Sequence, residues 1–143
     1  MSLETQHALR HYQTVGAHTQ VAAADPYKLV QLMLANVVER LAAARGHMER
    51  RETARKGEQI SKAIRVINAL DSSLNMELGG EIAANLRSLY EYIVLRLAKA
   101  NADDDLAMLD EVAGLVRTIK DGWDGIAGAP RPGAPAATAA PAP

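Results

Sequence analysis

LNMELGGEIAANLRSLYEYIVLRLAKAN, residues 74–101, is the stretch whose reading decides the fold. Ile82, Leu86, Leu89, Ile93 and Leu97 recur at spacings of three and four, and Ala83, Tyr90, Val94 and Ala98 widen the stripe. That period places them on one apolar helix face. Gly79 and Gly80 stand just before it and admit backbone angles that a side chain forbids, so a sharp turn is expected before Glu81 enters the first helical turn. A carboxylate at that point suits the positive end of the helix dipole.

Three further helices follow by the same reasoning. Asp25 followed by Pro26 is a start signal: the carboxylate can accept from a free amide of the first turn, and proline at the first helical position lacks only an amide that has no partner there. From Leu29, Val30, Leu32, Met33, Leu34, Val37, Val38, Leu41 and Met48 this helix is expected to touch two neighbours and to end near Arg50. The next is predicted from about Thr53 to Ser73, with Ile60, Ala63, Ile64, Ile67, Leu70 and Leu74 inside and Lys62, Arg65 and Asn68 in water. Asp103, Asp104 and Asp105 mark the entry to a last helix whose inner side carries Leu106, Leu109, Val112, Ala113, Val116, Ile119, Trp123 and Ile126.

Four amphipathic helices joined by short connections predict an all-α, antiparallel up-down four-helix bundle over residues 25–127. Residues 1–24 carry Leu9, Tyr12, Val15 and Val21 among polar neighbours and are read as a cap segment folded over the bundle. Residues 128–143, with Pro130, Pro132, Pro135, Pro141 and Pro143 among Ala, Gly and Thr, read as a disordered tail that cannot bury enough apolar area to order itself.

Composition narrows the function. With 16 Lys and Arg against 17 Asp and Glu the net charge is −1, which supplies no general field for nucleic acid or acidic lipid. There is no cysteine, hence no disulfide framework or thiolate metal site, and no apolar run follows Met1 as a secretory signal would. The longest apolar stretches fall well short of the ~20 residues that span a bilayer. A soluble protein of a reducing cytoplasm is expected.

No catalytic constellation stands out, so no enzyme, cofactor or metal is expected. Gly79-Gly80 lacks the Lys and Ser or Thr of a phosphate-binding loop. His7 and His11 are four apart but have no histidine-glutamate zinc motif beside them, and the Asp103–Asp105 run lacks the alternating ligands and central glycine of a calcium loop. Arg45, Arg50, Arg51, Arg55 and Lys56 are interleaved with Glu49, Glu52 and Glu58, which reads as a solvated turn. The sharpest enzymatic alternative is Arg40 with His47, an acid-base imidazole beside a phosphate-steadying guanidinium as in helical-bundle ribonucleases, although Leu41 occupies the place of a usual polar residue.

The order Asn75-Met76, Glu77-Leu78-Gly79-Gly80-Glu81-Ile82-Ala83, Asn85-Leu86, Leu89-Tyr90, Tyr92, Arg96-Leu97 and Ala100-Asn101 resembles the flagellin-specific export chaperone (FliS) family, and Tyr12-Gln13, Asp25-Pro26 and Trp123 extend the likeness. It covers roughly residues 12–126. The resemblance implies a cytoplasmic chaperone that binds the C-terminal segment of newly made flagellin, prevents premature polymerisation and assists delivery to the flagellar type III export apparatus. It implies Tyr12 and Val15 as parts of a displaceable cap. Many members carry a tyrosine, an acid and a glycine where this chain has Leu34, Ala35 and Asn36, so only the apolar part of that contact is retained.

Apolar positions off the inner stripes or beside the glycine turn are the candidates for the flagellin contact: Leu34 and Val38, Leu74, Met76 and Leu78, and Tyr92 and Leu95. Export-gate components are further candidate partners. The rival reading is a helical adaptor that holds another amphipathic helix, such as a flagellar regulator.

Overall fold

The computed structural model describes residues 25–127. The segments 1–24 and 128–143, and with them the expected cap, its Tyr12 and Val15, and the expected tail, lie outside the described residues. Four helices follow one another: α1 Pro26–Glu49, α2 Thr53–Ser72, α3 Met76–Asp103 and α4 Leu106–Ala127. No strand occurs among the described residues.

The helix ends form for the reasons their residues suggest. Asp25 is extended, and its carboxylate accepts from the Tyr27 amide at 3.0 Å with Pro26 in the first position. α1 stops where Arg51 adopts φ 59, a left-handed turn that sends the chain back along α2. Each residue of the aspartate run takes a separate task. Asp103 pairs with Lys99 at 3.1 Å, Asp104 ends α3 in the left-handed conformation, and Asp105 accepts from the Met108 amide at 3.0 Å to open α4.

α1 packs on α2 and α4, and α3 closes the ring by packing on both of those. The antiparallel sense of α1 and α4 is visible in their pairings. Arg45 bonds Asp110 at 2.8 Å at one end, while at the other Tyr27 and Trp123 stack at 5.3 Å between centroids and the Trp123 indole N–H donates to the Tyr27 carbonyl at 2.8 Å. Trp123 thus seals one end of the bundle. Between these ends Met33, Leu34, Val37, Leu41, Ile60, Ile67, Ile93, Leu97, Leu109, Val112 and Val116 are fully buried. Aliphatic side chains carry the interior, with Tyr90 the one buried aromatic among the described residues.

Four expectations are corrected. Leu34 is 0% exposed: α1 is held between two helices, so both flanks of its stripe are used and Leu34 is core. Lys56 is 2% exposed, because its ammonium reaches the end of α3, donating to the Asn101 carbonyl at 2.8 Å and pairing with Asp104. Ala98 is exposed whereas Ala100 is buried.

The fourth concerns the start of α3. The helix begins at Met76, capped by Asn75, whose side chain accepts from the Leu78 amide at 3.0 Å, and the expected turn is a kink inside it at Gly80, φ 54 and ψ −127. The kink has a reason in connectivity. Arg87 bonds Asp71, the penultimate residue of α2, at 3.2 Å, so the residues of α3 before Arg87 run past the end of α2 and the chain must fold back to rejoin it. Ile82, on the inner stripe by period, lies in this part of α3 and is 73% exposed.

Candidate partner-binding surface

The four large apolar side chains most open to water among the described residues all belong to α3: Leu78 at 87%, Ile82 at 73%, Leu95 at 71% and Tyr92 at 42%. Single exposed leucines are ordinary, but four on one helix of an otherwise well-closed bundle mark a surface with unused burial capacity. They flank α3 on two sides.

On the α2 side, Leu95 and Val94 border a groove with Tyr90 in its floor and Asn68, Asp71 and Glu91 on its rim. Burial, and secondarily the Asp71 charge, push the Tyr90 phenol up to about 12, so the ring acts as a neutral apolar wall. Asp71 is already held by Arg87. On the α4 side, Tyr92 donates from its hydroxyl to Glu111 at 2.8 Å, and the same carboxylate pairs with Arg96 at 3.3 Å. Arg96 also stands 5.7 Å from the centre of the Tyr92 ring, a cation–π distance. The bond from Tyr92, reinforced by Arg96, holds Glu111 below the usual carboxylate range, while the same bond raises the Tyr92 phenol. Tyr92 is therefore an exposed ring fixed in position, a contact that loses little rotamer freedom on binding.

The candidate residues divide accordingly. Leu78, Tyr92 and Leu95 are accessible, and Ile82 joins them, missed because its helical phase reads as core while its exposure depends on where α2 ends. Leu74 and Val38 are half-buried and packed against the core, and Met76 is half-buried beside the kink. Leu34 is unavailable. Tyr12 and Val15 lie outside the described residues.

Arg40 bonds Asn36 at 2.8 Å and Gln59 at 3.3 Å, whereas His47 lies 2.8 Å from Glu52 and 3.3 Å from the Arg50 guanidinium. The two side chains of the ribonuclease alternative are engaged in separate networks. Among the described residues no cluster of His, Asp or Glu is placed to hold a metal ion, and no helix is long and apolar enough to cross a membrane.

Comparison with known proteins points the same way. Residues 8–130 match the family described as "Flagellar protein FliS". The flagellar secretion chaperone FliSB of Pseudomonas aeruginosa is 48% identical over 119 residues, 83% of this chain and 94% of the relative. The flagellar secretion chaperones FliS of Vibrio cholerae and Salmonella typhimurium are 40% and 37% identical, each over 83% of this chain and 88% and 89% of the relative. A family of secretion chaperones works by binding, which the exposed apolar side chains of α3 suit. The chain belongs to the FliS family of flagellar secretion chaperones.

Proposed function

We propose that this chaperone binds the C-terminal segment of newly made flagellin in the cytoplasm, keeps it from polymerising, and assists its delivery to the flagellar type III export apparatus. A flagellin terminus outside its filament presents an amphipathic stripe without a partner and self-associates through it. Laying that stripe against Leu78, Ile82, Tyr92 and Leu95 removes both exposed surfaces from water, at about 25 cal/mol per Å² of apolar area before ordering costs. The observation that carries the reading is the exposure of these side chains on α3 of a chain whose relatives are secretion chaperones. Tyr12 and Val15 are proposed to cover part of this surface until cargo arrives, and Val38, Leu74 and Met76 to border it.

Titration calorimetry with full-length flagellin and with flagellin lacking its C-terminal segment tests the reading. Submicromolar binding, about −8 kcal/mol or stronger, is expected for the first and none for the second. Equal affinity for both forms contradicts it.

A further inference from the structure

The start of α3 joins two side-chain-free residues to a segment tied to the rest of the bundle only by apolar contact, through Leu74 packed against the core at its α2 end and the half-buried Met76. Gly80 holds φ 54 and ψ −127, a conformation that costs an L side chain heavily. A Cβ on Gly79 would lie 2.5 Å from the Ala83 Cβ, so that position too admits only glycine in this geometry. The turn between Asn75 and Gly79 is held by its own bonds, Asn75 Oδ1 to the Leu78 amide at 3.0 Å and the Gly79 amide to the Asn75 carbonyl at 2.8 Å. Among the described residues no hydrogen bond or ion pair ties residues 75–82 to α1, α2 or α4. Residues 77–82 are all exposed, and two large apolar side chains, Leu78 and Ile82, stand on either side of the pivot.

We infer that Asn75–Gly79 is a strap that swings about Gly80 and closes over an apolar helical segment seated against Ile82, with Leu78 as its clamp. Rotation at glycine meets no Cβ, and a turn whose hydrogen bonds are all local moves as a unit about Gly80 and the Leu74 junction, at the cost of the half-buried Met76 contact. Closure brings Leu78 and Ile82 together around the bound segment, which turns the overhang of α3 beyond α2 from an open ledge into a walled site. The identity of the bound segment rests on the flagellin reading; the hinge itself does not.

The cysteine-free chain allows clean labelling. Spin labels on Glu77→Cys in the strap and Ser61→Cys on the exposed side of α2 report the strap position by their distance distribution. Two arms are measured. In the first, Gly80→Ala is added without any ligand: alanine disfavours the open geometry, so the distribution is expected to shift with helical circular dichroism intact. In the second, a peptide of the flagellin C-terminal segment is added to the labelled chain with Gly80 retained, and the same direction of shift is expected on binding. A third variant, Leu78→Ser, is expected to speed peptide release by about tenfold, the loss of one buried leucine contact, with association changed by less than about threefold. A distribution unmoved by Gly80→Ala, or unmoved while the peptide binds, overturns the strap. A shift with Gly80→Ala in a chain that ignores the peptide supports the strap and overturns the flagellin reading alone.

Discussion

At the scale of single residues, two buried polar groups set measurable properties. Tyr90 is 4% exposed, and burial raises its phenol to about 12. A group whose pKa is raised by folding favours the folded state below its ordinary value near 10 and withdraws that support as pH climbs through the folded value, so the bundle is predicted to lose stability between pH 10 and about 12. Tyr90→Phe removes one ionisation, and alkaline unfolding followed by circular dichroism should become shallower in that variant. Lys56 is the other. Its ammonium satisfies the Asn101 carbonyl and Asp104 where α3 hands over to α4, and its stem packs in the bundle. Lys56→Ala deletes both contributions and should cost about 2–3 kcal/mol in urea unfolding with an unchanged slope. Neither role is written in the local sequence: Lys56 sits in a stretch of alternating charges that reads as solvent, and its burial comes from the end of a helix 45 residues away.

At the scale of elements, local chemistry announced the starts of α1 and α4, though it missed that of α3. Asp25-Pro26 opens α1, and Asp105 opens α4, because capping depends only on near neighbours. The inner faces of α2 and α4 follow their period: Ile60, Ala63, Ile67 and Leu70, and Leu109, Val112 and Val116, are all buried. What escaped the reading depends on relative helix lengths and offsets. Ile82 has the period of a core residue and the exposure of a surface one, because α3 outruns α2; Leu34 has the reverse history, because α1 is covered on two sides. The α3–α4 contact also carries a pH signature. Glu111 is held below its ordinary range by Tyr92 and Arg96, so its support is present above the unfolded value of about 4.3 and is lost as pH falls through the lower folded value. Glu111→Gln should therefore flatten the acid limb of the stability profile in thermal unfolding measured below pH 5 at low salt, an effect that salt diminishes because the group is exposed.

At the scale of the whole molecule, the ring of four antiparallel helices was legible because every segment repeats one period and the connections are short. The exposed apolar surface was legible only in part. Leu78, Tyr92 and Leu95 read as apolar residues off the inner stripe and are exposed, while the exposure of Ile82 needed the assembled bundle. A bundle with a closed aliphatic interior and exposed apolar side chains on one helix suits the proposed role, in which the cargo covers what the bundle leaves open.

The most direct measurement of that claim is the affinity of the chain and of its Ile82→Asp variant for a peptide spanning the flagellin C-terminal segment. Ile82 is 73% exposed, so aspartate there leaves the fold and its helical circular dichroism intact. The account predicts binding weakened by about 30-fold or more, the loss of one buried anchor near 2 kcal/mol. An intact variant that binds the peptide as tightly as the parent chain would contradict it.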